Sequence, residues 1–387
     1  MKEVAVIGVG QTKFGKRRDA SLSELAVDAL KDALEDSEAE KREIKFLSVG
    51  NFGLSSEDIT PAALVAEQAG LQGTTTMRCE AACASGSAAF YAAWLAVSSG
   101  IFDIAVALGV EKMTEVETPT MIEILGRAGS YFWEFHEFGV TFPAYYALYA
   151  TAHMNKFGTR EEDLALVAVK NHKYGARNPL AQFQNEITVE DVLSSRMIAW
   201  PLKLYDCCPI SDGAAAVVLA SKEKVKELGV DTPVWIKGIG VSSDTSTMGN
   251  RANFIGLRSS IEAAQLAYKM AKVEAKEIEV AEVHDCFTIA EILAYEDLGF
   301  CKKGEGAKLI REGETEIGGR IPVNVDGGLK AKGHPLGATG VSMIVELTKQ
   351  LREEVEPSRQ VPLKKYLALA HNVGGTGQYC YVTVLGR

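Results

Sequence analysis

Apolar positions open the chain as an unbroken run, Val4 to Val9, closed by glycines. A run of that kind suits a strand buried on both faces, as in a parallel sheet. From Ser21 the period changes. Leu22, Leu25, Ala26, Ala29, Leu30 and Leu34 recur at helical spacing, with Ser21 or Ser23 available as the cap. The pattern then predicts a strand around Phe46–Val49, a helix over Pro61–Ala69 with proline in its first turn, a small-residue helix over Ala84–Ser98 and a buried strand at Ile104–Leu108. Strands alternating with helices predict an α/β fold.

The same order occurs a second time. VWIKGIG (234–240) repeats VAVIGVG (4–10), a helix over 259–272 answers the first helix, and VAEVHDCF (280–287) answers FLSVGNFG (46–53). GHPLGATG (333–340) opens an amphipathic helix over 341–351, where the first half has its small-residue helix. YLALAHNV (366–373) mirrors DIAVALGV (103–110), and YCYVTVLG (379–386) mirrors AAAVVLAS (214–221). Such duplication predicts two similar halves packed together. Residues 116–205 have no counterpart in the second half. They are rich in aromatics and Met at first, then charged, and an insertion of that length between repeat elements points to a function.

Composition narrows the class. With 387 residues the chain needs two domains or one large α/β assembly. The net charge of −10, without a block of Lys or Arg, argues against a nucleic-acid face. Seven scattered cysteines are no disulfide framework and suit a reducing compartment. No apolar stretch is long enough to cross a bilayer, and MKEVAVIGVG enters a strand-like run directly, so a cytoplasmic protein is expected.

Candidate chemistry gathers in four segments. In EAACASGSAA (80–89), Cys83 precedes a helix whose free amides favour thiolate, although the same pattern also suits a small core residue. Cys79 lies four residues earlier with no second ligand pair, so no metal site is expected. EVHDCF (282–287) brings His284, Asp285 and Cys286 to a strand's C-terminal end, where ligands of open α/β sheets collect. In NVDGGLKAKGHPLGATG (324–340), glycines crowd His334 and Pro335 starts a helix beside it, a placement suited to activating a thiol. AHNVGGTG (370–377) follows a strand with His371, Asn372 and a glycine-rich backbone able to present N–H groups to an oxyanion. His136, His153 and His172 lie in the insertion and receive no role. GVGQTKFG (8–15) lacks the G-x-G-x-x-G spacing of a dinucleotide loop.

CASG (83–86), ISDGAAAVVL (210–219), HDCF (284–287), GHPLGATG (333–340) and HNVGG (371–375), in that order over the whole chain, resemble the thiolase superfamily, in the branch of sterol-carrier-protein-2-type thiolases and archaeal acetyl-CoA acetyltransferases. The resemblance implies a thiolase fold: duplicated βαβαβ halves forming a five-layered α-β-α-β-α core with an inserted loop domain. It places the N-terminal half at 1–115 with 206–230, the insertion at 116–205, covering the acyl chain, and the C-terminal half at 231–387. It implies Cys83 as nucleophile, His334 and His284 as activating and oxyanion-holding side chains, and backbone support from Cys83 and the stretch at His371, Val373 and Gly374. HDCF stands where many thiolases have Asn-Glu-Ala-Phe, and HNVG where they carry a CxG cysteine; in this branch the cysteine of HDCF, Cys286, takes the acid/base role.

The implied reaction condenses two acetyl-CoA to acetoacetyl-CoA, or in reverse cleaves a 3-ketoacyl-CoA, with coenzyme A thioesters as substrates and no further cofactor. Acetoacetyl-CoA would pass to HMG-CoA synthase in mevalonate synthesis, through a DUF35/OB-fold zinc protein. A homodimer or homotetramer is expected, with Arg177, Lys203 and Arg251 as candidate phosphate partners. Three alternatives stay open. They are a degradative sterol-carrier-protein-2-like thiolase, a ketosynthase-like enzyme using Cys83, His284 and His334, and a scaffold or aldolase subunit working with a DUF35 partner.

Overall fold

The structure is a computed structural model that describes residues 1–56 and 59–387. The opening run forms β1 (Val4–Gln11), every residue of it buried. Helix α1 (Leu22–Ser37) is capped by Ser21, whose hydroxyl accepts the Glu24 N–H while Glu24 reaches back to the Ser21 N–H. There follow β2 (Phe46–Gly50), α2 (Pro61–Gln68), β3 (Thr75–Cys79), α3 (Ser85–Ser98) and β4 (Ile104–Lys112). Strand β3 is exposed and polar, which hid it from a reading based on apolar runs. The chain then leaves the sheet for α4 (Thr118–Gly126), a wide turn at Tyr131–Glu137, α5 (Phe142–Phe157), α6 (Glu161–Gly175), α7 (Val189–Ser194) and the small β5 (Met197–Ala199) and β6 (Leu202–Lys203) pair. It returns through β7 (Asp212–Ser221) and α8 (Lys222–Leu228).

The second half supplies β8 (Val234–Ser243), α9 (Arg258–Ala271), β9 (Val280–Val283), α10 (Thr288–Asp297), α11 (Gly306–Arg311), α12 (Leu336–Arg352), β10 (Leu367–Gly374) and β11 (Tyr379–Gly386). Strand order across the sheet is β3-β2-β4-β7-β1-β8-β11-β10-β9. Read outward from the β1–β8 seam, the halves match: β1, β7, β4, β2 against β8, β11, β10, β9. Only Ala5 and Val6 pair across the seam, so the sheet is two half-sheets joined at one place. The glycine pairs of the two opening strands have the same purpose. A side chain at Gly8 or Gly10 would strike the α1 carbonyls of Ala33 or Ala29, and one at Gly238 or Gly240 those of Ala267 or Ala263 on α9.

Helices α3 and α12 pack against each other between the half-sheets, with α1 and α9 outside, giving five layers α-β-α-β-α. The amphipathic helix expected over 341–351 starts at Leu336, and its polar side is covered along with the apolar one: every residue but Lys349 is buried. Its position in the middle layer explains the burial, and the polar residues are paired inside the protein, Glu346 with Arg359 at 2.8 Å and Arg352 with Asp36 at 2.8 Å.

Candidate active site

Cys83 sits on the turn from β3 into α3. Ala82 before it adopts a left-handed φ of 51°, and Ser85 locks the turn, its hydroxyl donating to Ala82 O at 2.7 Å and accepting from the Ala81 N–H at 3.0 Å. A side chain at Gly374 would collide with Ala81 O, so glycine there lets β10 press against this elbow. His334 arrives from the other half, on the turn before α12. Its backbone N–H donates to the Ser211 hydroxyl at 2.9 Å. Asp285 joins the two second-half segments by accepting the N–H groups of Leu329 at 2.7 Å and Lys330 at 3.2 Å, and Asn171 of α6 adds a third donor at 2.7 Å.

Ligand atoms of Cys83, His284 and His334 lie within 4.8 Å of one another, and the two imidazoles stand nearly perpendicular with centroids 5.1 Å apart. Hydrogen bonds fix different tautomers. Thr339 donates its hydroxyl proton to Pro335 O at 2.9 Å, so at 2.7 Å it accepts from His334 Nδ1–H, leaving the His334 Nε2 lone pair free. The Asn372 amide donates to His284 Nδ1 at 3.0 Å while its oxygen accepts from the Ser87 hydroxyl at 2.9 Å, so His284 carries its proton on Nε2. Both Nε2 atoms are buried and unpartnered. The site therefore holds a ready base and a ready donor. The N–H groups of Gly375 and of Cys83 itself point at the sulfur.

Burial governs the titration. The Cys83 thiol is pushed up to about 12 by desolvation, which outweighs the two N–H groups facing it and the helix start. The helix start alone therefore does not make the thiolate it favours, and the charges that act on this sulfur, Glu111 and Glu80, raise it further. His334 is pushed down to about 3 by burial, and His284 well below its ordinary value by burial and then by His334, so both are neutral. Cys286 is buried and raised well above the usual thiol range, chiefly by desolvation. The Tyr146 hydroxyl lies within reach of Cys286 and donates to Gly375 O at 3.3 Å.

Cys83, Cys286 and His334 open onto an apolar cavity of about 180 Å³, walled by Met113, Ile122, Leu125, Phe142, Ile210 and Leu336 among others. Ile122, Leu125 and Phe142 come from the inserted segment.

Several expectations need correction. His371 faces away from the pocket: its Nε2 bonds the Ser260 hydroxyl of α9 at 2.8 Å. Strand alternation sends neighbouring side chains to opposite faces, and it is Asn372 that enters the site. The backbone donor near the sulfur is Gly375, beyond Val373 and Gly374, which lie inside the β10–β11 ladder. Among the candidate phosphate partners, Lys203 pairs with Glu161, and the Arg251 side chain is buried, donating to Thr245 O at 2.8 Å and to the Thr376 hydroxyl at 3.4 Å. Only Arg177 is exposed, and it does not line the cavity. Sequence reasoning missed Tyr146, Cys207 and Cys208. The Cys208 N–H donates to Cys286 O at 3.0 Å, and the buried Lys330 ammonium donates to Cys207 O at 2.6 Å. The adjacent pair before Pro209 carried no spacing signal; the pairing of this segment with Cys286 and Phe287 brings it in.

Comparison with known proteins gives a consistent picture. Residues 4–223 match the family profile described as the thiolase N-terminal domain, and residues 240–387 the thiolase C-terminal domain-like family. The chain is 45% identical over 389 residues to an acetyl-CoA acetyltransferase of Methanothermobacter thermautotrophicus, covering 100% of both. Among solved structures, the Ltp2-ChsH2(DUF35) aldolase superposes with a TM-score of 0.85 at 28% identity, over 100% of this chain and 98% of that one. Human mitochondrial 3-ketoacyl-CoA thiolase superposes with a TM-score of 0.76 at 19% identity, over 100% and 99%, a likeness of fold.

Proposed function

This chain belongs to the thiolase superfamily, and from that premise we propose that it is an acetyl-CoA C-acetyltransferase, condensing two acetyl-CoA to acetoacetyl-CoA and running in reverse as thiolysis. The observation that carries the reading is the grouping of Cys83, His284 and His334 within 4.8 Å, with Cys83 and His334 lining an apolar pocket shared with Cys286.

Each tautomer suits one task. His334 Nε2 takes the Cys83 proton as the sulfur attacks the thioester carbonyl; the buried thiol makes transfer and attack concurrent, because a free thiolate is costly there. His284 Nε2–H and the Gly375 N–H are oriented to hold developing oxyanions. The tetrahedral adduct collapses, the C–S bond to coenzyme A breaks, and the CoA thiol leaves with the proton from His334. Cys286 passes its own proton to His334 Nε2, neutral again once CoA has left, and as thiolate removes a proton from the α-carbon of a second acetyl-CoA, whose enolate carbon attacks the acetyl-Cys83 carbonyl. Cys83 leaves as the new C–C bond closes and takes back the proton held on His334 Nε2, which restores the resting thiol. Asn372, Thr339 and Tyr146 act through the groups they touch, as positioning residues.

The division into a half at 1–115 with 206–230, an insertion at 116–205 and a half at 231–387 belongs to this reading. So does a homo-oligomer, supported by the exposed edge strand β3. Among the described residues no helix is long and apolar enough to cross a membrane, which is compatible with a cytoplasmic enzyme feeding an HMG-CoA synthase. The likeness to an aldolase solved with a DUF35 chain supports a small partner of that type.

Mass spectrometry of the intact protein after brief exposure to acetyl-CoA tests the reading. One acetyl group is expected on the wild type and none on Cys83→Ala. No acetyl group on either would overturn it in favour of an aldolase or scaffold subunit.

A further inference from the structure

The pocket's nitrogen and sulfur atoms can do something that acyl transfer does not require. Among the described residues, Cys83, His284 and His334 are the group whose ligand atoms come within 4.8 Å of one another, and both imidazole Nε2 atoms are buried without a partner. One sulfur and two imidazole nitrogens form a donor set of the kind that zinc takes, with a fourth position open to the pocket. Tetrahedral Zn–S and Zn–N bonds of about 2.3 and 2.0 Å set ligand atoms roughly 3.3–3.6 Å apart, so modest side-chain rotation closes the site. The support behind the ligands is half built. Thr339 already accepts from His334 Nδ1–H, the arrangement metal-bound histidines use. His284 needs the Asn372 amide to turn over, so that its oxygen accepts from Nδ1–H while its nitrogen donates to the Ser87 hydroxyl, a partner already in place.

We propose that Cys83, His284 and His334 form a reversible inhibitory site for Zn2+. The Cys83 S–H bond breaks, its proton leaves to solvent, and the sulfur's electron pair forms the Zn–S bond. No electron is transferred and no oxidant is needed. Coordination occupies the sulfur, the His334 lone pair and the His284 nitrogen together, so the metal and an acetyl group on Cys83 exclude each other. Binding stands on the geometry alone, while its inhibitory effect rests on the proposed acetyl transfer.

Co2+ is the probe, added to chelator-treated enzyme. One equivalent should produce a thiolate-to-cobalt charge-transfer band in the near ultraviolet with visible bands of tetrahedral cobalt, and Zn2+ should abolish both. The bands should be missing from Cys83→Ser and from enzyme first acetylated with acetyl-CoA. Thr339→Val should weaken Co2+ affinity about 10–100-fold. In assays, Zn2+ should inhibit competitively with acetyl-CoA, and a chelator should restore activity. No charge-transfer band in the wild type, or a band that survives in Cys83→Ser, would overturn the proposal; the second result moves the metal to other thiols such as Cys207 and Cys208. The cobalt spectrum needs no acetyl transfer, so failure here and failure of acetylation are read separately.

Discussion

At the residue scale, two opposing effects act on Cys83. A charge near a helix N-terminus gains about 0.3–1 kcal/mol, rising to ~2 kcal/mol when partly buried. Burial lifts the thiol from 9.0 to about 12, and at 1.36 kcal/mol per unit that is about 4 kcal/mol. Desolvation wins, so reactivity at Cys83 waits for substrate and for the His334 lone pair. Cys286 is buried in the same way, and Cys286→Ala separates the two half-reactions. Acetyl uptake by Cys83 should persist, while condensation falls by about 10²–10⁴, the usual contribution of a positioned acid or base. Intact-mass labelling beside a condensation assay reads both, and a variant that still condenses would remove Cys286 from the mechanism. The motifs CASG, HDCF and GHP made Cys83, His284, Cys286 and His334 legible from sequence. His371 against Asn372 was not legible, because alternation says that one of the two faces the pocket and only the packing of Ser260 on α9 decides which.

At the scale of elements, the catalytic grouping depends on how closely two helix starts approach. Gly86 near the start of α3 lies under Gly337 near the start of α12; a Cβ on Gly86 would sit 2.5 Å from Gly337 O and 3.1 Å from the Gly340 and Val341 nitrogens. A Cβ on Gly337 would in turn meet the carbonyls of Val110 and Gly50. These glycines read in the sequence as small-residue helix and turn chemistry; their use as a contact between halves depends on the layer order. Gly86→Ala should therefore cost about 1–3 kcal/mol in a denaturant melt, and by pushing Cys83 away from His334 it should slow acetyl uptake even in the folded fraction. Normal acetylation in a destabilised variant would show that the crossing matters to stability alone. The buried face all around α12 belongs to the same lesson: periodicity reports one apolar stripe and cannot tell a surface helix from one enclosed by a second sheet.

At the scale of the molecule, β3 ends the sheet with an open edge. Thr75 donates to Lys45 O and Cys79 accepts from the Asn51 N–H, so by alternation Thr75, Met77 and Cys79 direct their backbone groups at β2, and Thr76 and Arg78 direct theirs outward. All five residues are at least partly exposed, including Met77 at 47%, with no lysine or proline to blunt the strand. An unprotected edge of this kind fits pairing with the same strand of a second copy, which would cover it and extend the sheet across the dimer. Thr76→Pro tests this without disturbing the protomer, because the N–H it removes points out of the sheet and proline is tolerated on such an edge. Light scattering should show a homo-oligomer for the wild type and a smaller species for the variant, with melting changed little. An oligomer unaffected by Thr76→Pro would place the subunit contact elsewhere, with the exposed aromatics Phe132, Trp133 and Phe138 of the inserted segment as the next surface to examine.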